Sequence, residues 1–145
     1  MTMRGALVVR SFDAADTEAV IALWRTCGLV RPWNDPHKDI ARKRGEQPEL
    51  FLVACVDERI VGSAMVGYDG HRGWVYYLAV APDMRRRHFG QALVERAEQL
   101  LIARGCPKFC LMVRRENTAV LDFYRELGFA QDDTVLLGKR LISDL

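Results

Sequence analysis

Charge of one sign is scarce in this chain: 21 Lys and Arg stand against 19 Asp and Glu, a formal net charge of +2 over 145 residues. A balance that close excludes the chain-wide basic footprint of a nucleic-acid-binding protein, so any basic patch is local and no nucleic-acid partner is expected. Long apolar runs are missing as well. None approaches the roughly 20 residues of a membrane-spanning helix, and residues 1–10 lack the apolar stretch of a secretory leader. No membrane partner is therefore expected, and the expected location is cytoplasmic. Cysteine is sparse and badly spaced for metal: Cys27, Cys55, Cys106 and Cys110 form no Cys-x-x-Cys pair and stand apart in sequence from His37, His71 and His88. That pattern implies no metal site and four reduced thiols, with Cys55 and Cys110 acting as small core hydrophobes. Repeats, linkers and low-complexity segments are also absent. What is present is a half-hydrophobic, 28% charged chain, the composition of one folded domain spanning residues 1–145.

Hydrophobic periodicity divides the chain into alternating elements. Residues 7–12 read as a strand leading to Asp13, a helix cap with Asp16 three residues on. Val20, Leu23, Trp24 and Cys27 then recur at helical steps until Gly28. Residues 29–47 break the pattern, with a short polar helix expected from about 36 to 44. Runs 50–56, 60–68 and 74–80 are β-branched and aromatic, separated by turn residues, which predicts an antiparallel meander. The clearest helix covers 87–104. A buried strand at 108–113, a helix opening at Asn117 and a last strand at 134–141 complete the order. This succession predicts a mixed α/β (α+β) fold: a twisted, mostly antiparallel sheet of about six to seven strands with helices on both faces.

The segment Asp83-Met-Arg-Arg-Arg-His-Phe-Gly-Gln-Ala-Leu93 carries the strongest chemical signal. A strand ends at Val80, Pro82 turns the chain, and a helix opens near Arg87 with unbonded backbone N–H groups at its positive end. Such a start binds phosphate through amides, and Arg85, Arg86 and Arg87 add charge around it. A solvated basic turn would leave the same sequence trace.

The spacing Val-x-Pro-x-x-Arg-x-x-x-x-Gly after a strand, followed by a strand and then Asn117-Thr-Ala-Val-Leu-Asp-Phe-Tyr-Arg-Glu-Leu-Gly-Phe129, resembles the GNAT superfamily of acyl-CoA-dependent N-acetyltransferases. Arg85, His88 and Gly90 occupy the three marked positions of that family's Arg/Gln-x-x-Gly-x-Gly/Ala turn, and Asn117, Tyr124, Gly128 and Phe129 match its last helix. The stretches around "RPWNDP", "GYDGHRG" and "LGKRLI" are further similar to the bacterial YpeA-type subgroup. The chain departs from the family at His88, where glycine is usual, and at Arg86, frequently glycine too; a side chain there is strained if the backbone needs positive φ.

The resemblance implies transfer of an acetyl group from acetyl-CoA, as cosubstrate and without metal, to a primary amine by direct attack on the thioester. It assigns coenzyme contacts to Leu78, Val80, Arg85, Arg86, Arg87, His88, Phe89, Gly90, Asn117 and Tyr124, with an amide at or near Leu78 polarising the thioester carbonyl. Tyr124 is the expected catalytic residue, protonating the departing sulfur, a role its ordinary pKa of about 10 permits. The segment 74–80 contains no acid, although many members carry a glutamate there. Asp69, His71, Tyr76, Tyr77 and Glu116 stay open as the base, as does an amine that binds already neutral. Acceptor contacts are expected from Trp33, Asn34 and Asp35 in the irregular stretch, with Asp69 and Tyr76. The acceptor itself, a small molecule or a protein amine, is open, as is a homodimer. A different class of protein, an acyl-CoA-binding regulatory module with little turnover, fits the missing acid and the His88 exchange.

Overall fold

The computed structural model describes residues 5–145; residues 1–4, part of the N-terminal segment read for a leader, lie outside the described residues. Strand β1 (Val8–Ser11) leads into a 3-10 turn at Ala14–Asp16 and helix α1 (Thr17–Thr26). The entry is fixed by a reciprocal cap: the Asp13 carboxylate accepts from the Ala15 N–H at 3.0 Å, and Asp16 accepts from the Asp13 N–H at 2.8 Å. Arg10 forks onto the same Asp16 at 2.7 and 2.9 Å, tying strand to turn. Helix α2 (Pro36–Arg44) follows, with Asp35 as its cap and Pro36 at its first position.

The sheet is then laid down as a meander. Strands β2 (Phe51–Val56), β3 (Arg59–Tyr68) and β4 (Gly73–Val80) pair antiparallel in turn, and β1 pairs with β2. After helix α3 (Phe89–Ala103), strand β5 (Phe109–Cys110) adds in parallel to β4, and helix α4 (Thr118–Glu126) closes the regular structure. The order is β1-β2-β3-β4-β5.

Helices cover both faces, as adjacent residues of β3 demonstrate. A Cβ on Gly62 would meet Leu93 of α3 at 3.0 Å, whereas the neighbouring Ser63 bonds Trp24 of α1. Successive strand residues point to opposite faces, so α3 and α1 lie on opposite sides. Every residue of β2 is accordingly buried, the signature of a strand sandwiched between two helical layers.

The fold class matches the sequence reading, but the strand count is five among the described residues rather than six to seven. The expected strand at 134–141 does not form, and the one at 108–113 shortens to two residues. Val135, Leu136, Leu137 and Leu141 are all highly exposed. Strand propensity marks a segment that fits a sheet; a partner edge must also be presented.

Candidate active site

The site is built where β4 and β5 part. Their register consists of Gly73 with Phe109 and Trp74 with Cys110, so from Val75 onward β4 has no strand partner on its outer side among the described residues. In the same stretch β4 carries a bulge. Ser63 pairs with Ala79 and Met65 with Tyr76, leaving Tyr77 and Leu78 opposite the single residue Ala64. Tyr77 takes φ 52°, a left-handed conformation that costs a bulky residue about 1–3 kcal/mol and persists only when its surroundings impose it.

Those surroundings are specific. The Tyr77 ring stacks on Trp24 with centroids 3.8 Å apart and planes 10° from parallel. Its hydroxyl donates to Asp39 Oδ2 at 2.6 Å, and burial, reinforced by that bond, pushes the phenol pKa well above its ordinary value. Its carbonyl accepts from the Ser63 hydroxyl at 2.7 Å, and that hydroxyl accepts from Trp24 Nε1–H at 2.9 Å. A trans peptide sets the following N–H opposite its carbonyl. With the Tyr77 carbonyl turned to Ser63 on β3, the Leu78 N–H is directed away from β3, towards the edge that β5 leaves open.

Beyond Val80 this edge runs into the basic turn. Pro82–Met84 form a 3-10 turn, and His88 caps α3 with its backbone at φ 63°, ψ 20°. Arg86 sits at φ 65°. Both positions read as glycine-like are therefore left-handed, at about 1–2 kcal/mol each, a conformation histidine tolerates better than most residues. The first intrahelical bond runs from the Ala92 N–H to the His88 carbonyl, and among the described residues no side chain caps α3. The Phe89, Gly90 and Gln91 amides thus have no intrahelical acceptor and stand at the positive end of a 15-residue helix, a fit for an anion.

The three arginines divide their work. Arg85 folds back, its Nε donating to the Val80 carbonyl at 3.2 Å with its far nitrogen 3.7 Å from Cys27 Sγ, and so closes the turn onto the strand end. Arg86 and Arg87 are exposed and form no hydrogen bond or ion pair among the described residues, leaving their charge available. Gly90 allows a close approach: a Cβ there would lie 3.2 Å from Phe123 Cζ of α4, tighter than an ordinary contact.

That contact brings α4 to the turn. Phe123 meets Tyr124 edge-on at 5.1 Å, and Tyr124 meets Phe129 at 5.5 Å. Tyr124 is 8% exposed, and burial pushes its hydroxyl up to about 12. The hydroxyl has no hydrogen-bond partner among the described residues, yet it is not among fully enclosed polar atoms, so it retains some access to the surface. Asn117 caps α4 through its carbonyl alone, with its side chain unbonded among the described residues.

On the side expected for the acceptor the structure is more reserved. Asp35 is committed as the cap of α2, accepting from the His37 and Lys38 amides at 2.9 and 3.3 Å. Asn34 accepts from Arg140 at 3.2 Å, and Trp33 is 49% exposed. Asn34 and Asp35 line a pocket of about 370 Å³ with Arg25, Arg31, His37 and Asp144. Asp69 accepts from the Arg72 and His71 amides and from Trp74 Nε1–H; the two amides, Arg72 first, hold its carboxyl below the usual range. It belongs to the β3–β4 turn, four residues along β4 from the bulge, on the order of 13 Å. Tyr76 is half exposed on the strand between them. Of the residues left open as base, Tyr77 is bonded to Asp39, whereas His71 and Glu116 are exposed.

Asp39, Ser63 and Trp24, which hold Tyr77, carry no signal of that arrangement in the sequence. Asp39 lies in a polar helix that reads as a solvated face, and Ser63 in a strand that reads as core. Among the described residues no three His, Cys, Asp or Glu side chains cluster as metal ligands, and no helix is long and apolar enough to cross a membrane.

The candidate site thus combines a sheet splayed between β4 and β5, a bulge in β4 and a helix N-terminus at the end of that strand. The acetyltransferase (GNAT) family model matches residues 17–129, and the chain belongs to that family. It is 57% identical over 136 residues to an acetyltransferase of Yersinia enterocolitica, covering 94% of this chain and 96% of that protein. Among solved structures it is similar to Ard1 from Thermoplasma volcanium, with TM-score 0.78 and 26% identity over 86% of this chain and 83% of that one. The PaiA N-acetyltransferase from Thermoplasma acidophilum, solved in complex with coenzyme A, shares the fold with TM-score 0.71 and 20% identity, over 90% of this chain and 93% of that one.

Proposed function

We propose that the protein transfers an acetyl group from acetyl-CoA to a primary amine by direct attack of the amine on the thioester. The observation that carries this reading is one continuous edge: β4, paired with β3 but without a strand on its outer side from Val75 and bulged at Tyr77 and Leu78, ends at the amides of Phe89, Gly90 and Gln91, which have no intrahelical acceptor. An extended pantetheine arm suits the strand edge as an added strand would, and a pyrophosphate suits the helix start.

Acetyl-CoA supplies the activated acyl group; the chain supplies its placement. Amides 89–91 hold the pyrophosphate, with Arg86 and Arg87 adding charge. The Leu78 N–H donates to the thioester oxygen as negative charge develops there, the use of a preset backbone dipole that contributes most in a water-poor site. The Tyr124 hydroxyl, kept protonated by its burial, gives its proton to the departing sulfur. The loop Trp33–Asp35 and Tyr76 present the acceptor amine, which loses its proton to solvent or to a nearby group during attack.

The test is free-thiol release from acetyl-CoA mixed with pooled primary amines. Acceptor-dependent release is expected, falling about 100-fold in Tyr124→Phe with coenzyme affinity kept. Tight coenzyme binding with no acceptor-dependent release would overturn transfer and identify an acyl-CoA-binding module instead.

A further inference from the structure

We propose that Ser63 and Asp39 are positioning residues for acetyl transfer, acting through Tyr77 to fix the peptide plane whose N–H faces the open edge of β4. The proposal rests on the acetyl-transfer reading above. Neither residue faces that edge. Ser63 is fully buried on β3, and Asp39 lies on α2.

The orientation of the Leu78 N–H is not set by the sheet, because the bulge removes residues 77 and 78 from the β3–β4 register. It is set by what grips Tyr77. The Ser63 hydroxyl holds the carbonyl end of the shared peptide unit at 2.7 Å and is itself oriented by Trp24 Nε1–H at 2.9 Å. Asp39 holds the opposite extremity of the same residue, the phenol, at 2.6 Å. The ring between these ends is pressed flat on Trp24. Three elements, α1, α2 and β3, thus converge on one left-handed residue, and each contact opposes its relaxation into an ordinary strand conformation. Arg42 joins Asp39, at 3.3 Å, to Asp144 near the end of the chain, at 2.6 Å, which restrains the Asp39 carboxylate.

A donor must lie within a few tenths of an ångström of its productive place, so loosening the plane lowers turnover before it weakens coenzyme binding. The remote amides 89–91 are untouched by these residues.

The experiment compares Ser63→Ala, Asp39→Ala and Asp39→Asn with the unaltered full chain, reading kcat, KM for acetyl-CoA, coenzyme Kd and the Leu78 amide proton shift by NMR. Ser63→Ala is expected to lower kcat about 10-fold, and Asp39→Ala about 3-fold or more, from the usual net worth of the hydrogen bonds removed. KM and Kd are expected to stay within about 2-fold, and the Leu78 amide to shift. Asp39→Asn, whose amide oxygen still accepts from Tyr77, is expected to retain most activity and an unchanged pH profile. Unchanged kcat and an unmoved Leu78 amide in both alanine variants would overturn the proposal, as would a Kd that weakens in step with kcat. Loss of activity and of the acidic limb in Asp39→Asn would also overturn it, by making Asp39 the base. If Ser63→Ala does not fold, the Asp39 pair on its surface helix decides. If the unaltered chain transfers no acetyl group, the functional reading fails, while the Leu78 shift still decides the positioning.

Discussion

Positions 86 and 88 put an arginine and a histidine where the backbone turns left-handed, and the cost of each side chain is local. Phosphate binding through amides does not depend on the side chains. His88→Gly is therefore expected to raise stability slightly, by about 0.5 kcal/mol, as relief of the left-handed strain outweighs the greater entropy of the unfolded glycine chain. Thermal denaturation checks it, and coenzyme affinity is expected to stay within a few-fold; His88→Val, β-branched at the same φ, is expected to melt lower. Tyr124 carries a residue-scale consequence in pH. Burial raises its pKa to about 12, so the protonated acid persists from neutral pH upward and is lost only as pH climbs through that value. Turnover is therefore expected to show no Tyr124-dependent decline between pH 7 and 10, measurable as a flat difference between the alkaline profiles of the unaltered chain and Tyr124→Phe.

Among the elements, the best anticipated were those whose ends announce themselves. Asp13 with Asp16, Asp35 with Pro36, and Gly28, Gly105 and Gly128 mark helix boundaries by residue chemistry, and α1, α2, α3 and α4 fall close to them. The segment 134–141 was not legible in the same way, because its apolar residues state an affinity for a sheet and cannot state whether an edge reaches them. The bulge was equally hidden. Tyr76 and Tyr77 both suit a strand, and the reason one of them turns left-handed lies in Trp24, Ser63 and Asp39, which are distant in sequence. The C-terminal tail has its own element-scale test. Asp144 accepts from Arg42 and from the Asp35 N–H, which together hold its carboxyl down to about 2. A depressed carboxylate stabilises the fold fully above its unfolded value near 4, and that contribution fades as pH falls towards 2. Asp144→Asn is accordingly expected to melt below the unaltered chain at pH 7 and to converge with it near pH 2.

Across the whole molecule, two helical layers cover the meander so that β2 and the core of β3 are buried, while β4 and β5 diverge after two paired residues. The contrast leaves a buried wall, a splayed edge and a helix N-terminus at the end of that edge, the three parts on which the proposed function relies. The turn at residues 80–90 and the helix carrying Tyr124 were legible as elements because each sits in a contiguous run, residues 80–90 and 117–129, whose spacing survives in one dimension. The acceptor side was less so, since Asp35 and Asp69 prove to be occupied by caps and turns, roles that any Asp beside a turn can fill. The most direct measurement of the central claim is a titration of the ¹⁵N-labelled protein with acetyl-CoA, followed by amide NMR. The expected result is that the largest shifts fall on Leu78 and on residues 86–91, with little change in β1 and β2; shifts centred on the 29–44 loop or on the tail, with Leu78 and the start of α3 unmoved, would contradict it.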